Sequence, residues 1–199
     1  MKFSTNIAFK EWAIVCRAIA AGRQTLILRK GGIAEKSGEF EVEHREFLLF
    51  PTLFHQQNDA VVPEARAELD LQAKDTVTIS LFAKVAEVQR LTDWEKVRAL
   101  APFHIWTEET IKDRFGWGNP SARGSLKAGE NAITLIIARF YCLPTPITLP
   151  LLKSYGGCTS WVTLEKELSV EGAKPILSDE EFANRMKYIH QSAALHRKD

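Results

Sequence analysis

The sequence predicts an α+β domain on a mixed, largely antiparallel sheet, curled into a partial barrel and packed by N- and C-terminal helices. Three observations lead there. Apolar Val77, Ile79, Leu81, Ala83 and Val85 alternate with Thr76, Thr78, Ser80, Phe82 and Lys84, the period-2 pattern of a strand with one buried face. Ala132 to Tyr141 is apolar on both faces apart from Arg139, as a central strand requires. Strand-like segments mostly follow one another directly, which disfavours a βαβ winding. The 199 residues, 45% hydrophobic and 26% charged, are ordinary globular composition and suffice for one core, in a single domain over 1–199.

The elements follow in chain order. Ala8 to Ala20 reads as a helix: Ala8, Trp12, Val15 and Ile19 share one stripe, a residue among Ser4, Thr5 and Asn6 caps it, and Gly22 ends it. Thr25 to Leu28 is a short apolar strand broken by a turn at Arg29-Lys30-Gly31-Gly32. Glu39 to Arg45 alternates, with Phe40, Val42 and His44 inward and an acidic outer face. Phe47 to Phe50 is an apolar run stopped by Pro51. Asn58 to Lys74 is polar, with weak helical periodicity, and covers the sheet.

Thr92-Asp93-Trp94-Glu95 is a capping box that opens a helix to about Leu100, which Pro102 ends. Thr107 caps a second helix, with Glu108 and Glu109 in its first turn and Gly116 closing it. The Gly-, Ser-, Asn- and Pro-containing stretch over 116–131 reads as an exposed loop. Pro144, Pro146 and Pro150 punctuate the segment after the central strand, and Gly156-Gly157 turns into a strand through Trp161 and Leu164. Ser178-Asp179-Glu180-Glu181 is a second capping box, opening a C-terminal helix over 178–196 with Phe182, Met186, Ile189 and Ala193 on one stripe.

Lys plus Arg is 26 and Asp plus Glu 25, a net charge of +1. That balance excludes a uniformly basic nucleic-acid coat and an acidic tail, while leaving room for local patches. Cys16, Cys142 and Cys158 are far apart and odd in number, which argues against a disulfide framework or structural zinc. The first ten residues lack the apolar segment of a signal peptide, and no apolar run approaches the ~20 residues of a spanning helix. The expectation is a cytoplasmic protein with no membrane association, no cofactor and no metal.

Familiar catalytic signatures are missing. There is no phosphate-binding loop, G-x-G-x-x-G, H-E-x-x-H or G-x-S-x-G. No Asp or Glu is followed two positions later by Lys, so the Asp/Glu-x-Lys tripeptide of many restriction-type nucleases is absent. Arginine is a poor substitute there because it stays protonated. Glu39, Glu41 and Glu43 read as a solvated acidic face, with divalent-ion binding as the alternative.

Four constellations remain. Arg29-Lys30-Gly31-Gly32 offers two cations and an anion-binding backbone nest, or a plain hairpin turn. Thr52, His55 and Gln56 follow a buried strand; His55 is a candidate general base or phosphate contact, or a turn-capping histidine. Lys112, Arg114, Phe115, Trp117, Arg123 and Lys127 interleave cations with aromatics, as grooves that neutralise phosphate and stack bases do. The alternative is a solvated helix end. Finally, Cys158 follows a glycine turn beside Thr159 and Ser160, a nucleophile candidate without a neighbouring base, or a packed cysteine.

These segments carry a resemblance. Leu28-Arg29-Lys30-Gly31-Gly32-Ile33, Phe40-Glu41-Val42-Glu43-His44, Phe47 to Thr52 with His55-Gln56, Tyr155-Gly156-Gly157-Cys158 with Ser160-Trp161, and Leu177 to Phe182 resemble the DUF1802 family of bacterial proteins over nearly the whole chain. The family's function is unknown. Some relatives are associated with a restriction-endonuclease-like domain, which implies a link to restriction–modification or defence; the family supplies no catalytic residues to carry over. Two functional readings stand. One is a nucleic-acid-associated accessory or recognition module using Arg29, Lys30 and the 112–127 segment. The other is a small enzyme on an anionic substrate, with Arg29 and Lys30 as clamp and His55 as acid/base.

Overall fold

The computed structural model describes residues 4–30, 42–53, 57–67, 75–116, 131–157 and 159–194. Among the described residues, seven strands and five α-helices alternate irregularly. They are β1 (Ser4–Trp12), α1 (Ala13–Ala20), β2 (Leu26–Arg29), β3 (Glu46–Thr52), α2 (Pro63–Arg66), β4 (Thr76–Leu91), α3 (Trp94–Arg98), α4 (Glu108–Gly116), β5 (Ile133–Pro150), β6 (Trp161–Ser169), β7 (Lys174–Pro175) and α5 (Asp179–Ser192). The strands form one mixed sheet in the order β2-β5-β4-β3-β1-β6, with β7 on β5. Among the described strands, only the β1–β3 pair is parallel. The α+β class and the largely antiparallel sheet are as expected. The partial barrel is not: β2 and β6 end the hydrogen-bonded path at opposite edges, so the sheet stays open.

The sheet is buried on both faces. Phe9, Phe47, Leu49, Leu81 and Ala83 belong to one core cluster, together with residues of α1 and α3–α5. Ala8, Leu48, Phe50, Ile79 and Phe82 belong to a second cluster on the other side. Successive strand residues therefore feed opposite cores, as the pleat dictates.

That double burial explains the main departure from expectation. Ala8 to Trp12 is strand, not the start of a helix; only Ala13 onward is helical. Ala8 and Phe9 are both fully buried, one in each cluster. A central strand running straight into a helix mimics one continuous amphipathic stripe. Gly22 follows the helix as expected, at φ +70°, and its N–H donates to the Ile19 carbonyl.

Prolines also behave differently from expectation. Pro51 lies inside β3, opposite Glu11 of β1. By then β3 has left β4, whose pairing with it ends at Leu48, so one side of the strand no longer needs an N–H. Pro144 and Pro146 lie inside β5. Ile79 pairs with Ile147 and Leu81 with Cys142, so residues 143–146 bulge out of the ladder, where the missing donors cost nothing. The same irregularity at Ser80 sends Ile79 and Leu81 to opposite cores, correcting the single inward row read for Val77 to Val85.

Other boundaries shift. Residues 42–45 are not strand and β3 begins at Glu46, so the alternating strand expected over Glu39 to Arg45 is absent from its described part. Arg29 closes β2 rather than opening a turn. Asp93, not Thr92, caps α3, accepting from the Glu95 N–H. Thr107 caps α4 through Thr110. Ser178 and Glu181 form the expected reciprocal box on α5, which ends at Ser192 rather than 196. The 117–130 part of the expected loop lies outside the described residues. No described helix is long and apolar enough to cross a membrane.

Candidate functional site

The tripeptide Lys10-Glu11-Trp12, at the end of β1, gathers what the sequence holds apart. Parallel pairing places Glu11 beside Pro51 and Trp12 beside Thr52. Thr52 Oγ1 donates to the Glu11 carbonyl at 3.3 Å. From the end of β2, Arg29 Nη2 donates to the Lys10 carbonyl and stands 3.7 Å from Glu11 Oε2. Its guanidinium also lies 4.6 Å from the centroid of the Phe9 ring. On the β6 side, Lys10 Nζ donates to the carbonyls of Gly156 and Gly157 at 2.9 and 3.0 Å.

The fourth arm comes from α4. The Arg114 guanidinium lies 3.7 Å from the Trp106 ring centroid and 5.8 Å from that of Trp12. The two indoles meet edge-on, 4.8 Å apart. Trp106 is buried and Trp12 half-buried. These are stacking geometries in which the ring quadrupole attracts the cation.

The electrostatics are those of a recessed, cation-rich corner. Glu11 is 3% exposed; its Oε1 accepts the Trp12 N–H at 2.8 Å. Burial pushes Arg114 down to about 10, with the Glu11 carboxylate opposing that shift and Arg29 adding to it. Burial, and then the Arg114 charge, push His104 down to about 4. Its Nδ1 accepts the Trp106 N–H at 3.2 Å, which places the remaining ring proton on Nε2. Burial raises the Cys16 thiol, and Glu11 raises it further. Two guanidiniums thus face one carboxylate. Among the described residues, Arg29 Nε has no hydrogen-bond partner, and the Arg114 guanidinium lies over indole faces.

Of the residues singled out from sequence, Arg29, Thr52 and Arg114 converge here. Lys30 follows Arg29, half-buried. Gly31, Gly32, His55, Gln56, Trp117, Arg123, Lys127 and Cys158 lie outside the described residues. Lys112 is exposed on α4, while Phe115 is buried in the core rather than offered for stacking. Among the described residues, no group of three or more His, Cys, Asp or Glu could hold a metal ion. The sequence reading missed Lys10, Glu11, Trp12 and His104. A charged residue between two aromatics at the end of an apolar stripe, as Glu11 is between Phe9 and Trp12, was the available signal.

A fold of this kind with this corner defines an α+β protein with a recessed, arginine-lined site at the end of β1. The chain belongs to the DUF1802 family, a domain of unknown function, whose profile matches residues 8–188. None of the curated proteins matches it. Among solved structures it is similar to ASCH from Zymomonas mobilis, at 12% identity and a TM-score of 0.40 over 91% of this chain and 93% of that one. A mutant protein of the same ASCH is similar at 12% identity and a TM-score of 0.43, over 91% and 96% of the two chains.

Proposed function

We propose that this protein is a nucleic-acid-associated recognition module, and that the Lys10–Trp12 corner holds a backbone phosphate. One observation carries the reading. The two basic stretches of the sequence, Arg29-Lys30 and the one beginning at α4, meet at a single place, where a guanidinium is stacked on an indole. Proteins that hold nucleic-acid strands combine cations with aromatic faces in this way. An arriving phosphate supplies the acceptor that the buried Arg29 Nε lacks among the described residues, and unpaired buried donors are costly. A link to restriction–modification or defence belongs to the same proposal, as does the contribution of Trp117, Arg123 and Lys127.

Salt-titrated binding to single- and double-stranded DNA and RNA tests it. The expected result is measurable affinity at low salt whose logarithm falls linearly with the logarithm of salt. Absent or salt-indifferent binding overturns the reading.

A second reading has its own support: the cations converge on a recessed corner rather than along a flat stripe. That favours an enzyme clamping a small anion, with His55 as acid/base. Turnover of small phosphorylated compounds, abolished by His55→Ala, would establish it; no turnover across such a panel would set it aside.

A further inference from the structure

A groove of about 260 Å³ opens between α1 and the sheet, where β3 ends and β4 begins. We propose that this groove receives the nucleotide adjoining the phosphate held at the corner, and so selects single-stranded over duplex nucleic acid. The inference rests on the corner being a phosphate site. The groove continues from it: Ala13, which follows Trp12, and Pro51, which pairs with Glu11, both line it. Cys16 lies in its wall and feels the charges of both Glu11 and Arg29, so the two spaces share one electrostatic environment.

The lining fits one nucleotide. The volume falls just below the roughly 300 to 1,000 Å³ of pockets that enclose drug-sized ligands, enough for a single base with part of its sugar. Thr76 and Ser80 bring hydroxyls that hydrogen-bond to nothing among the described residues, and both line the groove. Hydroxyls donate and accept, so they pair with base edges or a ribose. Ala20 and Cys16 keep the helix side shallow, and Arg17, exposed on α1, adds a positive charge beside it. A nucleotide fixed in a duplex cannot turn its base into such a groove without unpairing and unstacking.

The test fills the groove and leaves the corner intact. Ala20→Phe and Ser80→Phe close it from opposite walls, and Arg17→Gln removes its charge. A labelled oligonucleotide is titrated single-stranded and as a duplex, with the fold of each variant checked by circular dichroism. The expected result is that wild type prefers the single strand and that each filled variant loses about ten-fold of that affinity, the scale of one base's contacts. Duplex affinity stays unchanged. Arg17→Gln, the least disruptive variant, lowers the salt slope by about one charge. Wild type that binds neither form overturns the corner and the groove together. Wild type that binds, with filled variants of equal single-strand affinity, overturns the groove alone. Should both filled variants misfold, an unaltered salt slope in Arg17→Gln overturns it.

Discussion

Arg114 and Trp106 stack with guanidinium carbon and ring centroid 3.7 Å apart, and through this pair α4 brings a positive charge to the ring cluster at the end of β1. Burial lowers this arginine to about 10, so holding its charge costs the fold something. A cation–π contact returns about 0.5–2 kcal/mol, which offsets part of that cost. Arg114→Met keeps the stem's packing and removes both contributions. Thermal unfolding should place the variant level with wild type or up to about 1 kcal/mol above it, because relief of desolvation is at least as large as the lost contact. Affinity for a single-stranded oligonucleotide should fall about ten-fold, the effect of removing one charge-assisted phosphate contact. A variant that loses stability and keeps affinity would show the pair to be purely structural.

Glu11 answers to two guanidiniums, so removing its charge should do more harm than removing either of theirs. Its side chain is 3% exposed and that of Arg29 22%, so water screens the pair only partly. Glu11→Gln leaves Arg29 facing a neutral amide and takes away the group that holds Arg114 up. Breaking one partner of a buried pair costs about 3–5 kcal/mol, and urea denaturation should register a loss of about 3 kcal/mol at the low end of that range. Adding Arg29→Met should recover much of it, because the uncompensated charge goes too. Additive losses in the double variant would refute the coupling.

Much of the fold was legible because period-2 patterns and caps are local. The strand around Val77 to Ala83, the apolar run after Ala132 and the Ser178–Glu181 box all appear where expected. Failures came where local and tertiary signals coincide in form. Ala8 and Phe9 feed opposite cores from a central strand, and no turn residue separates Trp12 from Ala13, so strand and helix read as one stripe. Prolines announce strand ends only where both sides of the strand are paired, and Pro51, Pro144 and Pro146 sit where one side is not. For the corner, residue type was informative and position was not. Arg29, Thr52 and Arg114 stood out by chemistry, yet their convergence depends on parallel β1–β3 register. Glu11 stayed hidden because a carboxylate is seldom buried, and it is the arginines, with the Trp12 N–H, that make its burial tolerable.

His104 should make the protein acid-sensitive through its ring rather than through carboxylates. Its folded-state value is about 4, against an ordinary 6.5. The unfolded chain therefore binds the proton first, and between those values it holds more protons than the folded state. Stability rises with pH across that window and is lost as pH falls through it. The full displacement corresponds to about 3 kcal/mol at 1.36 kcal/mol per unit. Protonation would also take from Nδ1 the lone pair that accepts the Trp106 N–H. His104→Asn keeps an acceptor without the titration. Denaturation curves recorded from about pH 4 to pH 7 should slope for wild type and flatten for the variant; equal slopes would assign the acid sensitivity elsewhere.

Two glycines should respond to alanine with opposite signs. Gly22 follows α1 at φ +70°, and a Cβ there would stand 3.2 Å from Leu177 Cδ2. Its carbonyl accepts from Arg185 Nη2 at 3.2 Å, tying the α1 end to α5, so the backbone has little freedom to turn away. An L-residue held in the left-handed region costs about 1–2 kcal/mol, and Gly22→Ala should lose at least that in thermal or urea unfolding, since Leu177 must also give way. Gly116 is the last residue of α4, and among the described residues a Cβ there would meet nothing within 4 Å. Alanine fits its backbone and reduces the freedom of the unfolded chain, so Gly116→Ala should gain about 0.4–1 kcal/mol. Equal responses at the two positions would mean that the left-handed turn at Gly22 is not imposed by the packing of α5 against it.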